Sequence, residues 1–112
     1  MKMYKLVVLT NALEGRDDEF NTWYTDQHLS DVLKIPGITA AQRFQIQGEA
    51  IQANPLYKYL AIYDIETDDL EFVLTELQVR PESGQMYLTP AMDPVLYCAA
   101  YTPVTSEVRS AD

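Results

Sequence analysis

The apolar residues of this chain change period in a fixed order, and that order leaves few folds open. Short stretches rich in β-branched and aromatic residues, bounded by turn formers, occupy roughly 3 to 10, 39 to 47, 57 to 65 and 95 to 103. Helical spacing fills the interval between the first and second stretches, and again between the third and fourth. The first helical interval opens at Asp17-Asp18-Glu19, acids that favour the positive end of a helix dipole, and must close before Pro36-Gly37, with a bend expected near Leu29 and Ser30. The second runs from about Asp68, a candidate N-cap, to Arg80, with Leu70, Val73, Leu74 and Leu77 at core spacing and Pro81 as its stop.

The order strand, helix, strand, strand, helix, strand matches the split βαβ, ferredoxin-like unit: an α+β fold with a four-stranded antiparallel sheet covered by helices on one face. In the third strand the odd positions Tyr57, Tyr59, Ala61, Tyr63 and Ile65 share a face, opposite Leu60 and Ile62. A face with three tyrosines is too aromatic to leave in water, so it must meet the helices or a second copy of the chain. In the second strand Arg43 points away from Phe44, as a solvated sheet residue or as a cavity anchor. Asn54-Pro55 marks the turn between the middle strands. The aperiodic stretch from Pro81 to Pro94 reads as a loop at a cavity mouth or a dimer seam. We expect one domain over residues 1–104 and a loose tail over 105–112, small and polar from Thr105 onward.

Charge removes several classes of partner. Seventeen acidic residues against eight basic ones give a net charge of −9, so the average surface repels nucleic acid and anionic lipid. No apolar run is long enough to span a membrane, and the first ten residues read as a strand rather than an export signal, which points to the cytoplasm. The one cysteine, Cys98, excludes an internal disulfide; it lies in an apolar run and reads as a core thiol, a Cys–His pair requiring that the fold bring it to His28. One His, one Cys and scattered acids lack metal-ligand spacing, no Gly-rich phosphate loop is present, and we expect neither metal nor cofactor.

Chemistry concentrates between Phe20 and Leu33, which hold the only Trp, the only His, a Tyr and two Asp. Helical spacing brings Tyr24, His28 and Asp31 to one side. His28 would be the general acid or base, with a pKa that a neighbouring carboxylate raises. Asp31 would orient it or form a plain salt bridge, and Tyr24 would hydrogen-bond a substrate oxygen. Trp23 packs or touches ligand. Tyr59 and Tyr63 line the cavity if their face meets the helices and form a dimer interface otherwise, and Arg43 with nearby hydroxyls would hold an enolate or phenolate.

The run from Asn11 to Tyr24, followed by His28-Leu29-Ser30-Asp31-Val32-Leu33 and Ile35-Pro36-Gly37-Ile38, resembles the EthD-like branch of the dimeric α+β barrel superfamily. The likeness covers the first strand, first helix and second strand, about half of the chain. It implies two ferredoxin-like chains packed sheet to sheet, each with a cavity between sheet and helices. Ser30 stands where many relatives carry proline. Relatives include cofactor-free monooxygenases, polyketide cyclases, isomerases and heme-handling proteins; a heme protein usually adds basic groups for the propionates, whereas this chain is acidic.

Together these readings predict a homodimer acting on a hydrophobic aromatic or polyketide-like small molecule by cofactor-independent cyclisation, dehydration or isomerisation. The alternatives are a cofactor-free monooxygenase of a phenol and a non-catalytic binding or structural dimer.

Overall fold

A computed structural model describes residues 1–111. Four strands, β1 (Lys2–Thr10), β2 (Ile38–Gln45), β3 (Tyr59–Thr67) and β4 (Tyr97–Tyr101), form one antiparallel sheet in the order β2-β3-β1-β4. Between β1 and β2 the chain forms α1 (Asp17–Trp23), a π-helical turn (Tyr24–His28) and α2 (Leu29–Leu33), and between β3 and β4 it forms α3 (Leu70–Glu82). This is the ferredoxin-like βαββαβ arrangement the sequence predicts.

Register decides which face is covered. Thr10 pairs with Tyr59, Val8 with Ala61 and Leu6 with Tyr63, while Ala41 pairs with Tyr63 and Arg43 with Ala61; residues directly opposite share a face. Tyr59, Ala61, Tyr63 and Ile65 are buried, packed with Phe20, Trp23, Tyr24, Val32, Ile35 and Val73 of the helical layer. The tyrosine face therefore meets the helices, so it is not the face left for a second copy. Tyr57 lies outside β3, which starts two residues later than expected, and the ladder shortens to two tyrosines.

The open face carries Lys5, Val7, Phe44, Ile62 and Asp64 around a shallow depression of about 400 Å³. Phe44 and, by alternation, Tyr97 and Tyr101 present large aromatic surface there at 41%, 38% and 47% exposure. Tyr97 and Tyr101 share a hydroxyl contact.

Two helix boundaries differ from the sequence reading. Asp69, not Asp68, caps α3, its carboxylate accepting the Phe72 N–H at 3.1 Å. Asp68 instead lies 3.6 Å from the amino terminus. Pro81 sits inside the last turn rather than ending the helix. The stop is Gly84 at φ +82°: its N–H bonds Pro81 O and the Gln85 N–H bonds Arg80 O, the paired closure that a left-handed glycine permits. At the other crossover Gly37 adopts φ +101°, and a Cβ there would stand 2.9 Å from Val73 Cγ2. The glycine is thus required by backbone and by packing.

The 83–96 connection is anchored to the segment after β1. Leu13 N–H donates to Ala91 O at 2.7 Å, Asp93 N–H to Asn11 O at 2.9 Å, and Ala12 bridges Met92. Residues 105–111 are exposed and carry no helix or strand; position 112, the end of the predicted tail, lies outside the described residues. No described helix is long and apolar enough to cross a membrane.

Candidate active site

The site grows from an irregularity in the first helix. Where an α-helix would bond i to i+4, the Leu29 N–H bonds Tyr24 O across five residues, so the turn widens. The predicted bend near Leu29 is this π turn, one step earlier. Its effect is to bring His28 face to face with Trp23, ring centroids 4.4 Å apart and planes 23° from parallel. Tyr24 meets the same imidazole edge-on, at 4.8 Å and 90°. Trp23 is fixed in turn by its indole N–H, which donates to Tyr87 O at 3.0 Å, tying the aromatic cluster to the 83–96 connection.

Beside these rings lies a cavity of about 160 Å³ between sheet, helices and connection. Leu6, Val8, Val32 and Leu77 make its apolar walls, Met86, Leu88, Met92 and Leu96 close it from the connection, and Tyr24, Tyr63, Thr10, Cys98 and His28 add polar atoms. The 81–94 stretch thus takes the cavity-mouth position.

Electrostatics in this cavity run opposite to the sequence expectation for His28. Burial pushes its pKa down from 6.5 to about 4; the Asp31 charge pulls upward and is outweighed, while Arg43 pushes further down. A carboxylate three residues away is weaker than the loss of water around the ring, so at neutral pH the imidazole is uncharged. Asp31 pairs with Lys34 at 3.5 Å. His28 Nδ1 is buried and has no hydrogen-bond partner among the described residues. A neutral imidazole carries one lone pair and one N–H, so this nitrogen has an unused capacity to donate or accept.

Tyr63 and Tyr24 form the second polar element. The Tyr63 hydroxyl donates to the Tyr24 oxygen at 3.2 Å. Burial raises the pKa of both phenols, and Tyr63 lies far above the ordinary tyrosine range. Both stay protonated, and the Tyr24 O–H proton remains available for a third group.

Arg43 and Tyr59 stand elsewhere. The Arg43 guanidinium packs on Tyr24, 4.4 Å from its centroid, and bonds Thr25 and Asn21; with Tyr59 it lines a separate pocket. Arg43, expected to hold an enolate or phenolate, lines this separate pocket and not the His28 cavity. Cys98, expected in the core, is exposed on β4, the edge strand of the sheet, yet burial still pushes its thiol pKa up. It lines the same cavity as His28 but is protonated there.

Of the residues singled out from the sequence, the fold gathers His28, Tyr24, Trp23 and Tyr63 at this cavity. It missed Asn21, Thr10 and the methionines of the connection, whose apolar spacing carries no period to read. Among the described residues no group of three or more His, Cys, Asp or Glu side chains converges as a metal centre would require.

No protein-family profile and no curated protein matches the chain. Solved structures match across nearly all of it. An EthD family protein from Bacillus halodurans shares 15% identity at a TM-score of 0.57, over 90% of this chain and 98% of that one. The fold is that of the EthD-like ferredoxin-like proteins. It is also similar to SnoaB, a cofactor-independent oxygenase from Streptomyces nogalater, at 12% identity and a TM-score of 0.62, over 95% of this chain and 97% of that one. A dimeric ferredoxin-like protein of unknown function from Jannaschia shares 11% identity at a TM-score of 0.64, over 90% of this chain and 99% of that one.

Proposed function

We propose that this protein is a small-molecule enzyme in which neutral His28 takes a proton from a one-ring aromatic or cyclic carbonyl compound while Tyr24 donates to the oxyanion that forms. One observation carries the reading: a buried, unpartnered imidazole nitrogen beside a free phenol proton, in a cavity walled mostly by apolar side chains. A base that is uncharged at neutral pH accepts a proton directly, and a phenol held by a second phenol is a preorganised donor toward developing negative charge. Returning the proton to another carbon completes an isomerisation; losing hydroxide with it completes a dehydration. Trp23 sets the imidazole plane, and Asp31 and Arg43 act on His28 by charge from outside the cavity.

Volume narrows the substrate. About 150 Å³ is enough for benzene in an apolar cavity, so this cavity of about 160 Å³ suits one ring and not a fused polyketide. The apolar open face supports homodimerisation, as in the Jannaschia protein described as dimeric. We take residues 1–104 as the working unit and 105–112 as its tail, and place the protein in the cytoplasm on its single unpaired cysteine.

The second reading is oxygenation of a phenol without a cofactor, favoured by the likeness in fold to SnoaB. His28 would then generate the phenolate that reacts with O₂. Thermal shift against a panel of cyclic 1,3-diketones and phenols, on wild type and His28→Asn, identifies the ligand that the cavity stabilises. Solvent deuterium appearing in that ligand without oxygen uptake supports proton transfer, whereas stoichiometric oxygen uptake supports oxygenation. Identical melting shifts in both proteins would rule out His28 as the site.

A further inference from the structure

In the pocket separate from the His28 cavity, a second polar arrangement beside Tyr24 holds a positive charge without a counter-charge. Lys5, Arg16, Lys34, Lys58, Arg80 and Arg109 each pair with a carboxylate. Arg43, half-buried, has no carboxylate partner among the described residues, in a chain whose acids outnumber its bases by seventeen to eight. An unpaired cation removed from water is costly, and a chain this acidic has ample means to neutralise it.

The guanidinium is instead held rigidly by neutral groups. Arg43 Nη1 donates to Thr25 Oγ1 at 2.9 Å and Nη2 to Asn21 Oδ1 at 2.8 Å. The Asn21 amide donates to the Tyr59 hydroxyl at 3.1 Å, and that hydroxyl donates to Asp17 at 2.6 Å. Asp17 is already matched by Lys58 at 3.1 Å, so the network keeps one net positive charge at Arg43. Phe20, Tyr24 and Tyr59 surround the guanidinium at 5.6, 4.4 and 5.6 Å from their ring centroids. Arginine has five N–H donors, and only two find acceptors among the described residues. Beside it opens a pocket of about 180 Å³ lined by Asn21, Arg43, Phe44, Gln45 and Tyr59.

We propose that this pocket is a binding site for the carboxylate of a small aryl acid, held on Arg43 with its ring beside Tyr59. A planar carboxylate matches the paired donors of a guanidinium, and Tyr59, which shares the helix-facing side of the sheet with Arg43 and lines the same pocket, offers a ring wall for the organic part. This site goes beyond the proton-transfer reading and does not depend on it.

The test is an NMR titration of the arginine Nε–H signals at pH 7 with benzoate. Four arginines give four signals, and Arg43→Gln assigns the relevant one. Benzoate is expected to move that signal saturably, while benzyl alcohol, with the same ring and no charge, leaves it in place. Inorganic phosphate binds at least about tenfold more weakly, as expected for a planar site. Asn21→Asp, which supplies an internal carboxylate to Arg43, is expected to weaken benzoate by about tenfold or more with the melting temperature retained. A shift reproduced by sodium chloride at equal ionic strength, an unmoved signal, or unchanged affinity in Asn21→Asp would overturn the proposal. His28→Asn leaves the titration unaltered, so failure of this site and failure of the His28 site are read separately.

Discussion

Acidification isolates the contribution of one side chain, because the chain has a single histidine. In the fold His28 titrates near 4, whereas in the unfolded chain it returns to about 6.5. The folded pKa is depressed, so between these values the unfolded state binds the proton first. Stability from this group is complete above pH 6.5 and is lost as pH falls towards 4. The full shift is worth about 3 kcal/mol at about 1.4 kcal/mol per unit, and water reaching the exposed part of the ring trims it towards 2. That is a large fraction of the roughly 5–15 kcal/mol that holds a typical domain together. Urea unfolding of wild type and His28→Gln from pH 7.5 to 4 checks it, because carboxylates common to both proteins cancel in the difference. The wild-type advantage should decline by about 2–3 kcal/mol over that range. The imidazole C2–H resonance should still be that of the neutral ring at pH 5.5. A midpoint near 6.5, or a pH-independent difference between the two proteins, would refute the argument that burial outweighs Asp31.

Gly37→Ala should cost about 2–3 kcal/mol by thermal unfolding, because it places a Cβ 2.9 Å from Val73 Cγ2 at a positive φ; a loss under half a kcal/mol would mean that the crossover relaxes freely. Tyr63→Phe should cost about 1–2 kcal/mol and lower turnover with little change in KM, since Tyr24 loses its buried donor. Asp69→Ala should lower stability by about 1 kcal/mol while Asp68→Ala stays near neutral, which urea midpoints would show. Ile62→Glu, on the open face, should convert a dimer to a folded monomer in sedimentation, and an unchanged mass would remove the sheet-to-sheet interface.

The element order was readable because hydrophobic period is a local property: β1, β3 and α3 declare themselves in any ten-residue window. The orientation of β3 was not, since alternation says that Tyr59 and Tyr63 share a face without saying which layer meets it. His28 was legible as a candidate because a lone imidazole among aromatics is rare in a short chain. Its protonation was illegible, since the nearest charge in sequence, Asp31, is visible, whereas the walls that remove its water come from β1, α3 and the 83–96 connection. Arg43 shows the same limit: its partners Asn21 and Thr25 lie 22 and 18 residues away, and only the fold brings them to it.

The π turn between Tyr24 and His28 has an engineering consequence. In a regular helix, positions five apart point about 140° away from one another, so Trp23 and His28 could not stack. Deleting one residue from this turn would restore ordinary helical winding and, by local propensity, give a sounder helix, while swinging the imidazole off its aromatic shelf. Optimising this chain for durability would therefore tend to erase the site first, and a design that values the site must keep the defect.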